Sequence, residues 1–184
     1  MGSAVIVKPF ALCMTGISGS GKTTLANAVA GRLQNSGAHI EVVDGDDVRA
    51  IIDGLFGHSK EERVKISGVY RAIGYYLLRN GVSFILAVIA PYEEVRSHLR
   101  GFFGEAYIQI YVKASAGLCA ERDVKGLYKR QREGSITSLI GIDSVFEPPA
   151  NSELVIDTER LCVGEACDMI TNFLYSKGYL TQDQ

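Results

Sequence analysis

The chain is expected to fold as an α/β protein of the phosphate-binding-loop (P-loop) NTPase-like class, three layers built on a parallel five-stranded sheet with helices on both faces. Three observations predict this. Residues 16–24 read Gly-Ile-Ser-Gly-Ser-Gly-Lys-Thr-Thr, which fills every fixed position of the G-x-x-x-x-G-K-[ST] pattern. An apolar strand, Phe10 to Met14, precedes that loop, and Leu25, Ala28, Val29 and Leu33 follow it at helical spacing. Beyond it, strand-like and helix-like segments alternate, as parallel sheets with crossover helices require.

In chain order, 39–43 (His-Ile-Glu-Val-Val) reads as the second strand, ending at Asp44-Gly45-Asp46. Ser59-x-x-Glu62 is a capping box opening a long helix. Ile66, Val69, Ile73, Tyr76 and Leu77 give that helix its apolar stripe, and Asn80-Gly81 ends it. Val82 to Ala90 is almost wholly apolar, which suits a central strand buried on both faces. A helix is expected after Pro91, a strand over Tyr107 to Val112, and a helix over Ala116 to Asp123. Leu154-Val155-Ile156 is the fifth strand, and Ala166, Met169, Ile170, Phe173 and Leu174 mark an amphipathic terminal helix. Between them, 124–151 shows no sustained period and carries Lys125, Lys129, Arg130 and Arg132. A solvated loop would have such charges. After the fourth helix of a phosphate-binding fold, a mobile lid that excludes water and neutralises charge accounts for them better.

At 184 residues the chain has room for one catalytic domain, 1–184, with the lid inside it. Apolar residues make up 47% and charged residues 22%, and a net charge of −2 supplies no general attraction to nucleic acid or anionic membrane. The longest apolar run, Phe84 to Pro91, is too short to span a bilayer, and no signal-peptide pattern is expected at the N-terminus. Cysteines 13, 119, 162 and 167 have no C-x-x-C spacing, so free thiols in a reducing cytoplasm are expected.

The loop fixes the first half of the chemistry. Its glycines turn the backbone so that successive N–H groups face one anion, and the helix behind adds its positive dipole end. Gly16, Ser18, Gly19, Ser20, Gly21, Lys22, Thr23 and Thr24 are therefore assigned to ATP, with Lys22 at the β- and γ-phosphates and the Thr23 hydroxyl on Mg²⁺. A GTPase or motor ATPase shares this loop. The small chain, the missing N-K-x-D pattern and Asp44-Gly45-Asp46-Asp47-Val48-Arg49 at a strand end favour a kinase. Asp46 is read as a ligand in the Mg²⁺ shell or as the acceptor of a hydroxyl proton, with Asp44 beside it, and Arg49 as a grip on an anionic acceptor.

These segments together resemble adenylylsulfate kinase. The resemblance rests on the loop, Asp44-Gly45-Asp46-x-Val48-Arg49, Arg63, Ile89-x-Pro91-Tyr92 with Arg96, and Glu121-Arg122-Asp123-x-Lys125-Gly126-Leu127-Tyr128-Lys129. Gly141-Ile142-Asp143-Ser144, Phe146-Glu147-x-Pro149 and Asp157-Thr158 continue it, over roughly residues 8 to 178. It implies ATP and Mg²⁺ as donor and cofactor, Arg122 on the ATP side, and phosphorylation of a nucleotide ribose 3′-hydroxyl. The usual acceptor is adenosine 5′-phosphosulfate, which gives 3′-phosphoadenosine 5′-phosphosulfate for sulfate assimilation. Partners are then ATP and a small nucleotide, neither nucleic acid nor membrane, with room for a homodimer.

The acceptor side departs from the family. It is assigned to Asp47, Arg49, His58, Arg63, Ile89, Ala90, Pro91, Lys125, Leu139 and Ile140, yet Asp47 stands where the family has Asn. Ile66-Ser67-Gly68-Val69 replaces Asn-Ile-Arg-Arg, and His58 and Leu139 replace two phenylalanines expected to sandwich adenine. Base stacking is worth about 1–3 kcal/mol per face. Two alternatives therefore stay open: a kinase of another activated nucleotide, such as cytidine diphosphoramidate in capsule modification, and a nucleotide-binding regulator without turnover.

Overall fold

In a computed structural model describing residues 4–137 and 139–182, the five expected strands form one parallel sheet. Strand β1 (Ala4–Ile6) precedes β2 (Ala11–Thr15), which feeds helix α1 (Lys22–Gln34) through the glycine-rich loop. Then come β3 (Ile40–Asp44), the short α2 (Gly45–Ile51) and the long α3 (Lys60–Arg79). Strand β4 (Ser83–Ala87), α4 (Glu93–Phe103), β5 (Tyr107–Lys113), α5 (Ala116–Arg122) and α6 (Leu127–Arg132) follow. Strand β6 (Leu154–Asp157), α7 (Val163–Ser176) and β7 (Leu180–Gln182) complete the described chain.

The sheet order is β3-β4-β2-β5-β6, so the chain leaves β2 in one direction and later returns past it in the other. Register aligns the strand ends: Asp44 lies opposite Ala87, Met14 opposite both Ala87 and Ile110, and Lys113 opposite Asp157. Ligands of open α/β sheets bind outside such carboxyl ends, at the point where strand order reverses.

The strand period of two sorts β2 between two cores. Leu12 and Met14 pack with Leu25, Val29 and Leu33 of α1 and Ile170 and Leu174 of α7. Ala11 and Cys13 face the opposite way, towards Ile66 and Tyr70 of α3 and Leu99 and Phe103 of α4. At Gly74 a Cβ would stand 2.5 Å from the Phe84 ring and 2.6 Å from that of Phe103, so glycine lets α3 lie close against the sheet. The capping box forms as expected, with Ser59 accepting from the Glu62 amide and Glu62 from the Ser59 amide.

Three local differences have physical causes. The apolar run to Ala90 leaves the sheet after Ala87, because Thr15 Oγ1 donates to the Ile89 carbonyl (2.6 Å) and Arg96 to that of Ala90 (2.7 Å). Ala90 takes φ +39° there. Asp44-Gly45-Asp46 is no simple turn but the start of α2, with Asp44 capping it by accepting from the Asp46 amide at 2.8 Å. Within 124–151, the Asp123 carboxylate accepts from the Tyr128 and Lys129 amides (3.0 and 2.9 Å) and so starts α6, whose six residues are too few to show a period. Strands β1 and β7, three residues each, form a separate antiparallel pair that local pattern did not reveal.

Candidate active site

The donor half of the site is the loop between β2 and α1. A Cβ on Gly16 would strike the Val112 carbonyl oxygen, and one on Gly19 would come within 3.1 Å of the Cys119 carbonyl. Gly19 and Gly21 have φ +81° and +97°, a region that suits glycine. Helix α1 begins with neither a side-chain cap nor an acidic residue in its first turn. Its first amides and dipole are thus left for an anion.

Lys22 curls back over this loop, donating to the Ile17 carbonyl at 2.8 Å. Burial, and then the ammonium of Lys125, lower its pKa to about 8, against the pull of Asp46 and Asp44. The Thr23 hydroxyl donates to Asp44 Oδ2 at 2.6 Å, while Asp44 Oδ1 is taken by the Asp46 amide. A hydroxyl and a carboxylate together are hard oxygen donors of the kind Mg²⁺ takes. Among the described residues no three His, Cys, Asp or Glu side chains converge. A divalent ion held here therefore fits the usual Mg²⁺ arrangement, with one or two protein oxygens and the rest from phosphates and water.

Asp46 and Asp47 are exposed on the first turn of α2. Lys125 reaches the Asp46 carboxylate from the segment after α5. Burial tends to lower the Lys125 pKa, but Asp46, Asp44 and Asp47 outweigh it and hold the ammonium above its usual range. Asp44 thus meets Thr23, and Asp46 meets Lys125 of the 124–151 segment. The expectation set Thr23 and Asp46 on Mg²⁺ with Asp44 beside them; in the structure the direct hydrogen bond of Thr23 goes to Asp44.

A cleft of about 960 Å³ runs along these groups. Ser18, Gly19, Gly21, Lys22, Thr23 and Thr24 line its donor part, while Ser20 lies beneath with its hydroxyl buried and unpartnered among the described residues. Arg122 donates to the Gly19 carbonyl (3.4 Å), to Thr158 Oγ1 (3.1 Å) and to the Thr158 carbonyl (2.8 Å). Thr158 in turn donates to the Ser20 carbonyl at 3.1 Å, so two distant side chains clasp the loop. Tyr128 adds a third tie, its phenol donating to the Ser18 carbonyl at 2.8 Å. Leu161, Cys162, Val163 and Ala166 give this end an apolar wall, which sequence reasoning missed because α7 enters only through the fold.

On the other side the cleft meets Asp47, Arg49, Arg63, Ile89, Ala90 and Pro91, as expected, together with Ile66, Tyr70, Val88 and Val95, which were not. Arg49 donates to the Phe56 and Gly57 carbonyls (3.1 and 3.0 Å), and Arg63 to that of His58 (3.0 Å). Three expected acceptor residues lie elsewhere. Leu139 and Ile140, 6% and 2% exposed, are packed in a small core with Ile17, Cys119 and Tyr128. His58 is an exposed residue of the 52–59 connection and does not line the cleft. Neither His58 nor Leu139 therefore lines the cleft, Leu139 because its side chain is packed in that core.

The family model for adenylylsulphate kinase matches residues 8–157, a span that includes the loop, both carboxylates and the 124–151 segment. The chain belongs to this family. An adenylyl-sulfate kinase of Rippkaea orientalis is 40% identical over 172 residues, covering 92% of this chain and 93% of its own. One of Microcystis aeruginosa is 39% identical, with coverage of 92% and 93%. The Mycobacterium tuberculosis APS kinase CysC, solved in complex with AMPPNP and APS, superposes with TM-score 0.86 at 28% identity, over 91% of this chain and 98% of that one. A hexameric APS kinase from Thiobacillus denitrificans gives TM-score 0.70 at 28% identity, over 95% of this chain but 30% of its own. As a member of the adenylylsulphate kinase family, the chain is an ATP-dependent kinase that phosphorylates a hydroxyl. These relatives lend no support to a cytidine-nucleotide acceptor or to a regulator without turnover. No helix among the described residues is long and apolar enough to cross a membrane.

Proposed function

We propose that this chain transfers the γ-phosphoryl group of ATP to the ribose 3′-hydroxyl of adenosine 5′-phosphosulfate, yielding 3′-phosphoadenosine 5′-phosphosulfate and ADP. The observation that carries this reading is one continuous cleft joining the Lys22–Thr23 loop end to Asp46, Arg49 and Arg63, with Asp44 bonded to Thr23 beside it. In it Lys22 holds the β- and γ-phosphates, which would draw its ammonium off the Ile17 carbonyl. Thr23 and Asp44 would hold Mg²⁺, which supplies charge neutralisation on the phosphate oxygens. Asp46 orients the acceptor hydroxyl and receives its proton as O3′ bonds to the γ-phosphorus and the bridge to the β-phosphate breaks. Lys125, now paired with Asp46, shifts towards the transferring group as the lid closes. Arg49 and Arg63 face the phosphosulfate, and Arg122 with the apolar wall at α7 takes the ATP base.

The reading extends to a cytoplasmic enzyme able to self-associate as a homodimer, which sedimentation would measure. Its decisive test is an assay with ATP, Mg²⁺ and a panel of nucleotide acceptors. Efficient transfer to adenosine 5′-phosphosulfate is expected. Transfer confined to a pyrimidine nucleotide, or none at all, would overturn it.

A further inference from the structure

Helix α3 presents three residues to the acceptor side of the cleft: Arg63, Ile66 and Tyr70. Arg63 has committed its Nε to the His58 carbonyl, and Ile66 has no polar atom. Ser67, the next hydroxyl on the helix, donates to the Val64 carbonyl at 2.6 Å and is fully buried. Tyr70 is different. Its ring is buried among Val43, Val48 and Val88, and the residue is only 5% exposed. Its hydroxyl lies 3.3 Å from where a Cβ on Gly45 would stand, against the backbone between Asp44 and Asp46. None of the described hydrogen bonds uses that hydroxyl. Burial pushes the phenol up to about 12, so it stays protonated and able to donate at working pH.

We infer that Tyr70 is an acceptor-binding residue, its phenol donating a hydrogen bond to the ribose–phosphate part of the nucleotide whose hydroxyl meets Asp46. This rests on the acceptor reading above and deepens it. A base stacked at the far end of the cleft would not reach Gly45. The sugar must, because its hydroxyl has to approach the carboxylate on the following residue. Gly45 also gives the phenol its place, since a Cβ there would press on Val88 at 2.7 Å and stand 3.3 Å from the Tyr70 hydroxyl.

The test compares wild type with Tyr70→Phe, which keeps the buried ring and removes one donor. A hydrogen bond of this kind predicts a KM for adenosine 5′-phosphosulfate raised about five- to tenfold, with kcat and the KM for ATP within twofold of wild type. Calorimetry of the acceptor binding to protein already holding a non-hydrolysable ATP analogue should show the same loss. An unchanged acceptor KM overturns the inference. So does a parallel loss towards ATP and acceptor with a lowered melting temperature, which is a packing effect. Wild type inert with adenosine 5′-phosphosulfate sinks the acceptor reading itself, and is seen before any variant is made.

Discussion

The Thr23 hydroxyl donates a 2.6 Å hydrogen bond to Asp44, so the last residue of β3 is tied to the first turn of α1, 21 positions earlier. The neighbouring Asp46 has no such tie and faces Lys125 instead. Asp44→Asn and Asp46→Asn should therefore fail differently. The first should raise the Mg²⁺ concentration needed for half-maximal rate about 10- to 100-fold, as loss of a partner to a metal-holding group does. The second should lower kcat with ATP affinity kept. Metal titration of both variants decides, and the reverse pattern would return the metal role to Asp46.

Lys22 makes nucleotide binding pH-dependent. Its pKa without nucleotide is about 8, and polyphosphate beside it favours the charged form and raises that value. Binding should then take up a proton above about pH 8, and ATP affinity should fall with rising pH by at most about tenfold per unit. Calorimetry at pH 8.5 in two buffers of different ionisation enthalpy measures the uptake. Lys22→Ala should abolish it and slow transfer about 10²–10³-fold in a folded protein; activity within tenfold of wild type would contradict the assigned site.

The lid prediction concerns 124–150. The Lys125–Asp46 pair and the Tyr128–Ser18 bond lie on the same segment, but only the second is buried. Hydrogen exchange should slow on adding an ATP analogue with acceptor, most around Val124 to Gly126 and least at Tyr128. Equal exchange in both states would make the segment an ordinary surface loop.

Leu139 offers a test of the corrected pocket. If it faced the acceptor, Leu139→Phe would add a stacking surface and favour adenine nucleotides. It is 6% exposed against Ile17, Cys119 and Tyr128, so the larger ring should overpack that core at about 1–3 kcal/mol. The expected result is a melting temperature lower by about 2–10 °C and no gain in kcat/KM for adenosine 5′-phosphosulfate. A gain without loss of stability would return Leu139 to the acceptor site.

The features legible along the chain are those that short-range physics controls. The Gly16–Thr24 loop, the Ser59–Glu62 capping box and the apolar periods of α1, α3 and α7 are local codes, each complete within a few turns of chain. They sufficed for the sheet, for the geometry of the glycine-rich loop and, through the resemblance, for the family. The tertiary structure alone decided which groups face one another across long separations. Asp44 rather than Asp46 meets Thr23 because β3 aligns beside β4 with Asp44 opposite Ala87. Leu139 turns inward because the loop offers Ile17 as an apolar partner, and Tyr70 reaches Gly45 because α3 crosses β3 and β4 on that face. Periodicity tells which face of an element is apolar; only packing tells what the buried face touches.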